Sequence, residues 1–324
     1  MKKTLSLLSA FLILILSLLS SCTVSELTPM TEETKEETVT EKKEELPSTT
    51  KEVIPEQPNP ENDKVLKVLV IGNSFSTGWP DELNGLLAEK EIKAEIWTVY
   101  YSGCSLTMHW NWLENGRKNY RLRHHKQEGG TDDFNEVGLD YCLKKRNWDV
   151  ISLQHDYGAT LNTDFDAETF HKRANLTAKK LYDYIRERYP KSRLVFHEEW
   201  AYNVGWSRNG KSVATKEVQE KMYHNIHRHA TSVHEQNGVQ VIPSGTAWQI
   251  ARARDDSWDM TRDQYHDGPA TGGQYLNACV WFESLTGQSC VGSTWRPSAL
   301  EISAEQMTIL QNVAHEAVET NSLK

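Results

Sequence analysis

The amino-acid sequence predicts a three-layer α/β/α sandwich built on a mostly parallel sheet, and two observations carry that prediction. From Val65 onward, short apolar runs of strand length alternate with longer segments of helical periodicity, the rhythm of βα units. The strand-like runs are apolar throughout instead of alternating, as strands covered on both faces are.

The elements follow in order. Val65 to Ile71 is an apolar run broken only by Lys67 and stopped by Gly72. A helix begins near Pro80, with Leu83, Leu86 and Leu87 at helical spacing and Lys90 near its end. Strands are predicted near Ala94 to Tyr100 and at Trp148 to Leu153, a helix from about Ala167 to Arg188, and a strand at Arg193 to His197. Then come a helix from about Lys216 to Glu235, a strand at Val239 to Ile242, and helices near Trp248 to Arg254, Gly273 to Leu285 and Ala304 to Thr320. Tyr101 to Val137, Asp156 to Asp166 and Asn203 to Val213 break the rhythm and are expected to be long loops. The first and third follow strands, where ligand crevices of open α/β sheets lie. Trp110, Trp112, Trp206, Tyr101 and Tyr202 in and beside them are either packed or free to stack on sugar rings.

The N-terminal part obeys other rules. Lys2 and Lys3 precede an apolar stretch from Leu5 to Leu19 and then Ser20, Ser21 and Cys22, the pattern of a cleaved export signal over residues 1–21. Residues 22–64 form a predicted acidic tether. After Cys22 it holds 12 acidic residues against 5 lysines and no apolar periodicity, so it cannot bury enough surface to offset its ordering entropy. Of the formal net charge of -9, residues 65–324 keep -4. No basic stripe points to nucleic acid. Cys104, Cys142, Cys279 and Cys290 remain, open to two disulfides or four buried thiols, and no CxxC spacing marks zinc.

Two local patterns carry chemistry. In Val70-Ile71-Gly72-Asn73-Ser74-Phe75-Ser76 a buried strand turns into a helix at Ser74; a serine there can raise Oγ above the sheet edge with its own N–H facing the same space. Near the other end, Asp263 and His266 stand three apart in Thr261-Arg262-Asp263-Gln264-Tyr265-His266. The carboxylate can hold Nδ1–H and present Nε2 to a serine brought in from elsewhere.

These motifs resemble the SGNH (GDSL-like) hydrolase superfamily, in an uncharacterised bacterial lipoprotein branch. Gly72-Asn73-Ser74 looks like block I with Asn for the usual Asp, Gly103 in Tyr101-Ser102-Gly103-Cys104-Ser105 like the block II glycine, and Asp263-Gln264-Tyr265-His266 like block V. Trp148 to Gln154, His197 to Tyr202, Ile242 to Ala247 and Gly273 to Gly287 extend the likeness over most of residues 65–305. The resemblance implies a flavodoxin-like sheet, a Ser74–His266–Asp263 triad, and an oxyanion hole from the Ser74 and Gly103 N–H groups. It implies no cofactor and no metal. The family's block III Gly-x-Asn-Asp is replaced by Gln154-His155-Asp156-Tyr157. Asp156 falls where the third donor would stand, so the Gln154 amide is expected to donate instead, or the hole to rest on the two backbone groups. Asn73, Asp156, His197 and Trp200 are expected substrate contacts. Leu19-Ser20-Ser21-Cys22 resembles a lipobox, implying acylation of Cys22 and a membrane-anchored protein of the cell envelope or surface.

The expected activity is hydrolysis of acyl esters, most of all acetyl esters on carbohydrate. Two other readings stay open: a lipase or lysophospholipase, and a silent glycan-binding lipoprotein on the same scaffold. His224, His227, His229 and His234 in the predicted helix lack an HExxH pattern and are expected on a solvated face. Glu198 and Glu199 are adjacent, so they point to opposite sides and cannot flank one glycosidic bond.

Overall fold

Strand β1 (Leu66–Gly72) sits at the middle of a seven-stranded sheet. The computed structural model describes residues 64–324; the predicted signal, the lipidation site Cys22 and the tether up to residue 63 lie outside the described residues. After β1 come a 3-10 turn (Ser74–Ser76), α1 (Pro80–Glu89), β2 (Ala94–Tyr100), α2 (Leu106–Glu114), β3 (Tyr120–His125), β4 (Thr131–Val137), α3 (Leu139–Lys144) and β5 (Val150–Leu153). The chain continues through α4 (Ala167–Arg188), β6 (Arg193–His197), the two-residue strands β7 (Ser207–Arg208) and β8 (Lys211–Ser212), α5 (Lys216–Asn237) and β9 (Gln240–Ile242). It finishes with α6 (Ser244–Arg254), α7 (Gly273–Thr286) and α8 (Ala304–Thr320).

The sheet order is β4-β3-β2-β1-β5-β6-β9. The five strands β2, β1, β5, β6 and β9 are parallel, in the doubly wound order of flavodoxin-like sheets. That order reverses direction at β1, so the crevice outside the ends of β1 and β5 is the switch point where ligands bind such sheets. Alternate β1 residues enter opposite cores: Val68 and Val70 pack with residues of α1, α6, α7 and α8, while Leu69 and Ile71 pack with those of α2, α3 and α4. All four are fully buried, which is why this stretch is apolar without alternation.

Helices start where side chains satisfy free N–H groups. Asp166 caps α4, Thr215 caps α5, and Ser303 with Gln306 forms a capping box on α8. The predicted loop from Tyr101 to Val137 is instead α2 plus an antiparallel hairpin, β3 and β4, extending the sheet. The polar edge strand β4, with Arg123 paired to Asp133 at 2.7 Å, has no fully buried residue to betray it in the sequence. Helix α6 begins at Ser244, four residues earlier than expected, because Pro243 leads straight from β9 into it. At the other edge β9 is covered: Val241 N–H donates to Leu323 O at 2.8 Å, and Asn321 Nδ2 donates to Val241 O at 2.9 Å. Cys104, Cys142, Cys279 and Cys290 are buried free thiols; burial pushes Cys104 and Cys142 up to about 12.

Candidate active site

The turn after β1 is built by close approach. A Cβ on Gly72 would lie 2.3 Å from Ser76 Oγ and 2.5 Å from Gln154 Oε1, so only glycine fits. Asn73, in extended conformation, caps the 3-10 turn by accepting Phe75 N–H on Oδ1 at 3.0 Å. Ser74 opens the turn and is half-buried. Phe75 points inward, its ring 4.8 Å from Trp200, 5.7 Å from Tyr202 and 5.4 Å from His266.

That last contact joins the two predicted halves of the site. His266 Nδ1 and Asp263 Oδ2 are 2.7 Å apart, and His266 N–H donates to Asp263 Oδ1 at 2.8 Å. The loop is held in place by Trp200 Nε1 donating to Tyr265 O at 2.8 Å and by Asn203 N–H donating to Gln264 O at 2.7 Å. Burial holds His266 below the ordinary histidine range against the opposing pull of Asp263, so the imidazole is neutral at neutral pH. Burial would raise Asp263, but the side-chain and backbone hydrogen bonds from His266 outweigh it and lower its pKa. His266 Nε2 is buried and makes no hydrogen bond. The direct Ser74–His266 hydrogen bond that the sequence leads one to expect is therefore not formed; turn and loop meet through the Phe75 ring. Catalytic hydrogen bonds are often open before substrate binds.

Beside the turn, Gly103 is exposed with a φ of +61° and its N–H makes no hydrogen bond among the described residues. Asn73 Nδ2 donates to the neighbouring Cys104 O at 3.4 Å, tying this loop to the turn that bears Ser74. The Gln154 amide corrects an expectation. Its Nε2 donates to Asn73 Oδ1 at 3.0 Å and to Glu199 Oε2 at 2.6 Å, and its Oε1 accepts the Ser76 hydroxyl proton. Both amide hydrogens are engaged, so Gln154 has none left for an oxyanion.

Three expected substrate contacts are corrected too. Asn73, His197 and Trp200 are fully buried: Asn73 Oδ1 accepts two hydrogen bonds and its Nδ2 donates to Cys104 O, His197 Nε2 meets Ser244 Oγ at 3.0 Å, and Trp200 stacks on Trp248 at 4.8 Å. Asp156 is partly exposed; Gly158 N–H donates to its Oδ1 at 3.3 Å, and burial raises its pKa. Tyr202 and Trp206 are buried, and Trp110 and Trp112 pack on the α2 side of the sheet, so of the aromatics weighed as sugar platforms only Tyr101 is exposed. The helix histidines are not all solvated. His229 is fully buried with Nδ1 2.6 Å from Tyr157 Oη, and His227 pairs with Glu198 at 2.7 Å. Glu198 and Glu199 do diverge, toward α5 and toward Gln154. Sequence reasoning missed the roles of Phe75 and Ser76, and it weighed Glu199 only as half of a carboxylate pair, because its contact with Gln154 joins residues 45 apart. Among the described residues no His, Cys, Asp or Glu grouping has the geometry to hold a metal.

Comparison with known proteins places this geometry in a family. A crystal structure of a DUF4886 family protein from Bacteroides uniformis is 30% identical with a TM-score of 0.70, covering 79% of this chain and 96% of that one. Looser likenesses run to a putative SGNH hydrolase from Slackia heliotrinireducens (TM-score 0.45, 14% identity, 68% of this chain and 100% of that one) and to Axe2, an acetylxylan esterase from Geobacillus stearothermophilus (TM-score 0.47, 13% identity, 72% and 97%). The curated proteins include no match. Residues 67–317 match the domain of unknown function DUF4886, and the chain belongs to that family.

Proposed function

We propose that the protein is a serine ester hydrolase of the SGNH type, with Ser74 as nucleophile, His266 as general base and Asp263 as its orienting partner. The observation that carries this reading is a neutral, carboxylate-held imidazole with a free Nε2, seated against the ring of the residue that follows Ser74. In the proposed reaction Ser74 Oγ attacks the ester carbonyl and passes its proton to His266 Nε2. The imidazolium, stabilised by Asp263, returns that proton to the departing alcohol as the acyl C–O bond breaks. Water, activated by the same imidazole, then releases the acid and frees Ser74.

The oxyanion hole of this reading consists of the Ser74 and Gly103 N–H groups. With Gln154 engaged elsewhere, a third donor is missing, and one such donor is worth roughly 100- to 1,000-fold in rate; turnover is expected to be slow. The proposed substrate is a small acyl ester, above all acetyl, on carbohydrate, supported by Tyr101 beside Gly103, an aromatic residue 38% exposed and perpendicular to Trp112 at 4.7 Å. The lipobox-like Cys22 and the acidic residues after it support an exported protein held at the cell envelope by a lipid anchor. No described helix is long and apolar enough to cross a membrane.

The test is hydrolysis of p-nitrophenyl acetate by residues 64–324. Wild type should turn over, and Ser74→Ala should reduce the rate to background; equal rates would refute the assignment. The second reading, a silent glycan-binding protein, is motivated by the altered block III, in which the motif register sets Asp156 where the family's third donor would fall. A fluorophosphonate probe separates the two, because only an activated Ser74 is labelled.

A further inference from the structure

We propose that Glu199 is a positioning residue for the nucleophile turn: its carboxyl fixes Gln154, and through Gln154 the Asn73 carboxamide that caps the turn bearing Ser74. The proposal rests on the esterase reading for its kinetic consequences, but not for its structural ones.

The argument is one of donors and acceptors, followed outward from a fixed point. Phe75 N–H can only donate, so the Asn73 atom 3.0 Å from it is the carbonyl oxygen. Gln154 faces that oxygen at 3.0 Å and must present its amide nitrogen there. The same nitrogen lies 2.6 Å from Glu199 Oε2, which must therefore accept. Gln154 Oε1 is left to take the Ser76 hydroxyl proton, closing a ring of contacts from the end of β5 to the cap and the last residue of the turn. Every hydrogen-bonding atom of the Gln154 side chain is satisfied, and Glu199 holds its amide nitrogen from the β6 side.

Glu199 is fully buried and its Oε1 makes no hydrogen bond. Burial and the neighbouring Asp156 charge hold this carboxyl well above the usual carboxylate range; Tyr157 and Tyr202 are the other titratable groups that face it. Oε2 is the oxygen that accepts from Gln154, so in the neutral form that burial favours the proton belongs to Oε1. A neutral carboxylic acid and a carboxamide offer the same acceptor and the same donor side, so glutamine should replace this residue atom for atom. A residue needed for negative charge could not be replaced in that way.

Three proteins decide the matter: wild type, Glu199→Gln and Glu199→Ala, each assayed for kcat and KM on p-nitrophenyl acetate and for hydrogen exchange at the Phe75 amide. Glu199→Ala should lower kcat by roughly 100-fold, the effect of a nucleophile displaced by about 1 Å, with KM changed less than about twofold, and should speed Phe75 exchange. Glu199→Gln should match wild type in both. A Glu199→Gln protein that loses as much kcat as Glu199→Ala overturns the proposal, and so does unchanged Phe75 exchange in Glu199→Ala. Should Glu199→Ala not fold, Glu199→Gln decides alone: wild-type kcat and exchange uphold the proposal, and loss of either overturns it. If wild type hydrolyses no ester and resists fluorophosphonate, the esterase reading falls, and Phe75 exchange still judges Glu199.

Discussion

In the proposed reaction His266 takes the Ser74 proton only while its ring is neutral, and its burial lowers the pKa below the ordinary 6.5. Activity should therefore be flat through neutral pH and fall only when acidification passes below the usual histidine range. A profile of kcat/KM against pH checks this, and an acid limb centred above 6.5 would contradict the assignment. On the proposed mechanism, removing the orienting carboxylate by Asp263→Asn should cut kcat by up to about 10,000-fold, as loss of the correct tautomer does in Ser-His-Asp triads. At this scale the sequence was legible where chemistry is local. Asp263 and His266 touch because they are three residues apart in one turn, and Ser74 is marked by a strand that stops at glycine. Gln154 was misread because a side chain's free hydrogens depend on residues far along the chain: its partners Asn73 and Glu199 are 81 and 45 residues away.

The loop carrying His266 borrows its position from the segment after β6. Trp200 supplies one hydrogen bond to Tyr265 O while its ring lies between Phe75 and Trp248. Trp200→Phe keeps an aromatic ring but removes that donor and some volume, so it should cost about 1–3 kcal/mol of stability and lower kcat more than it raises KM. Thermal melting and steady-state kinetics on the same preparation measure both, and an unchanged kcat would show that the loop holds itself. Elements buried on one or both faces were readable: β2, α4, β6 and α8 fall where apolar spacing placed them. The β3–β4 hairpin was not, because β4 packs only Phe134 and Val137 partly against the core and otherwise reads as loop.

Across the whole molecule, α1, α7 and the His266 loop converge on a buried acid. Burial raises Asp267 to about 7 against the lowering effects of its Asn277 hydrogen bond and of Arg262, and burial with Asp81 and Asp267 raises Glu82 to about 7 as well. A carboxyl whose folded pKa exceeds its unfolded value of about 3.9 stabilises fully below that value. It loses the contribution as pH rises toward 7. Buried His109, His155 and His197, each lowered to about 3, act in the opposite sense over much of the same range, so the test is a difference between proteins. Asp267→Asn should gain melting temperature relative to wild type as pH rises from about 4 to about 7; parallel curves would show that Asp267 does not titrate in this window. The three-layer sandwich with a mostly parallel sheet was readable in outline from the βα rhythm, whereas this convergence, like the closing of the sheet's borders, needs the fold. One border strand is studded with Asp132, Asp133 and Glu136, and the other is masked by residues 321–323. Neither offers the bare, uncharged ladder through which sheets of separate molecules zip together, so crowding copies side by side should not join them through the borders of this sheet.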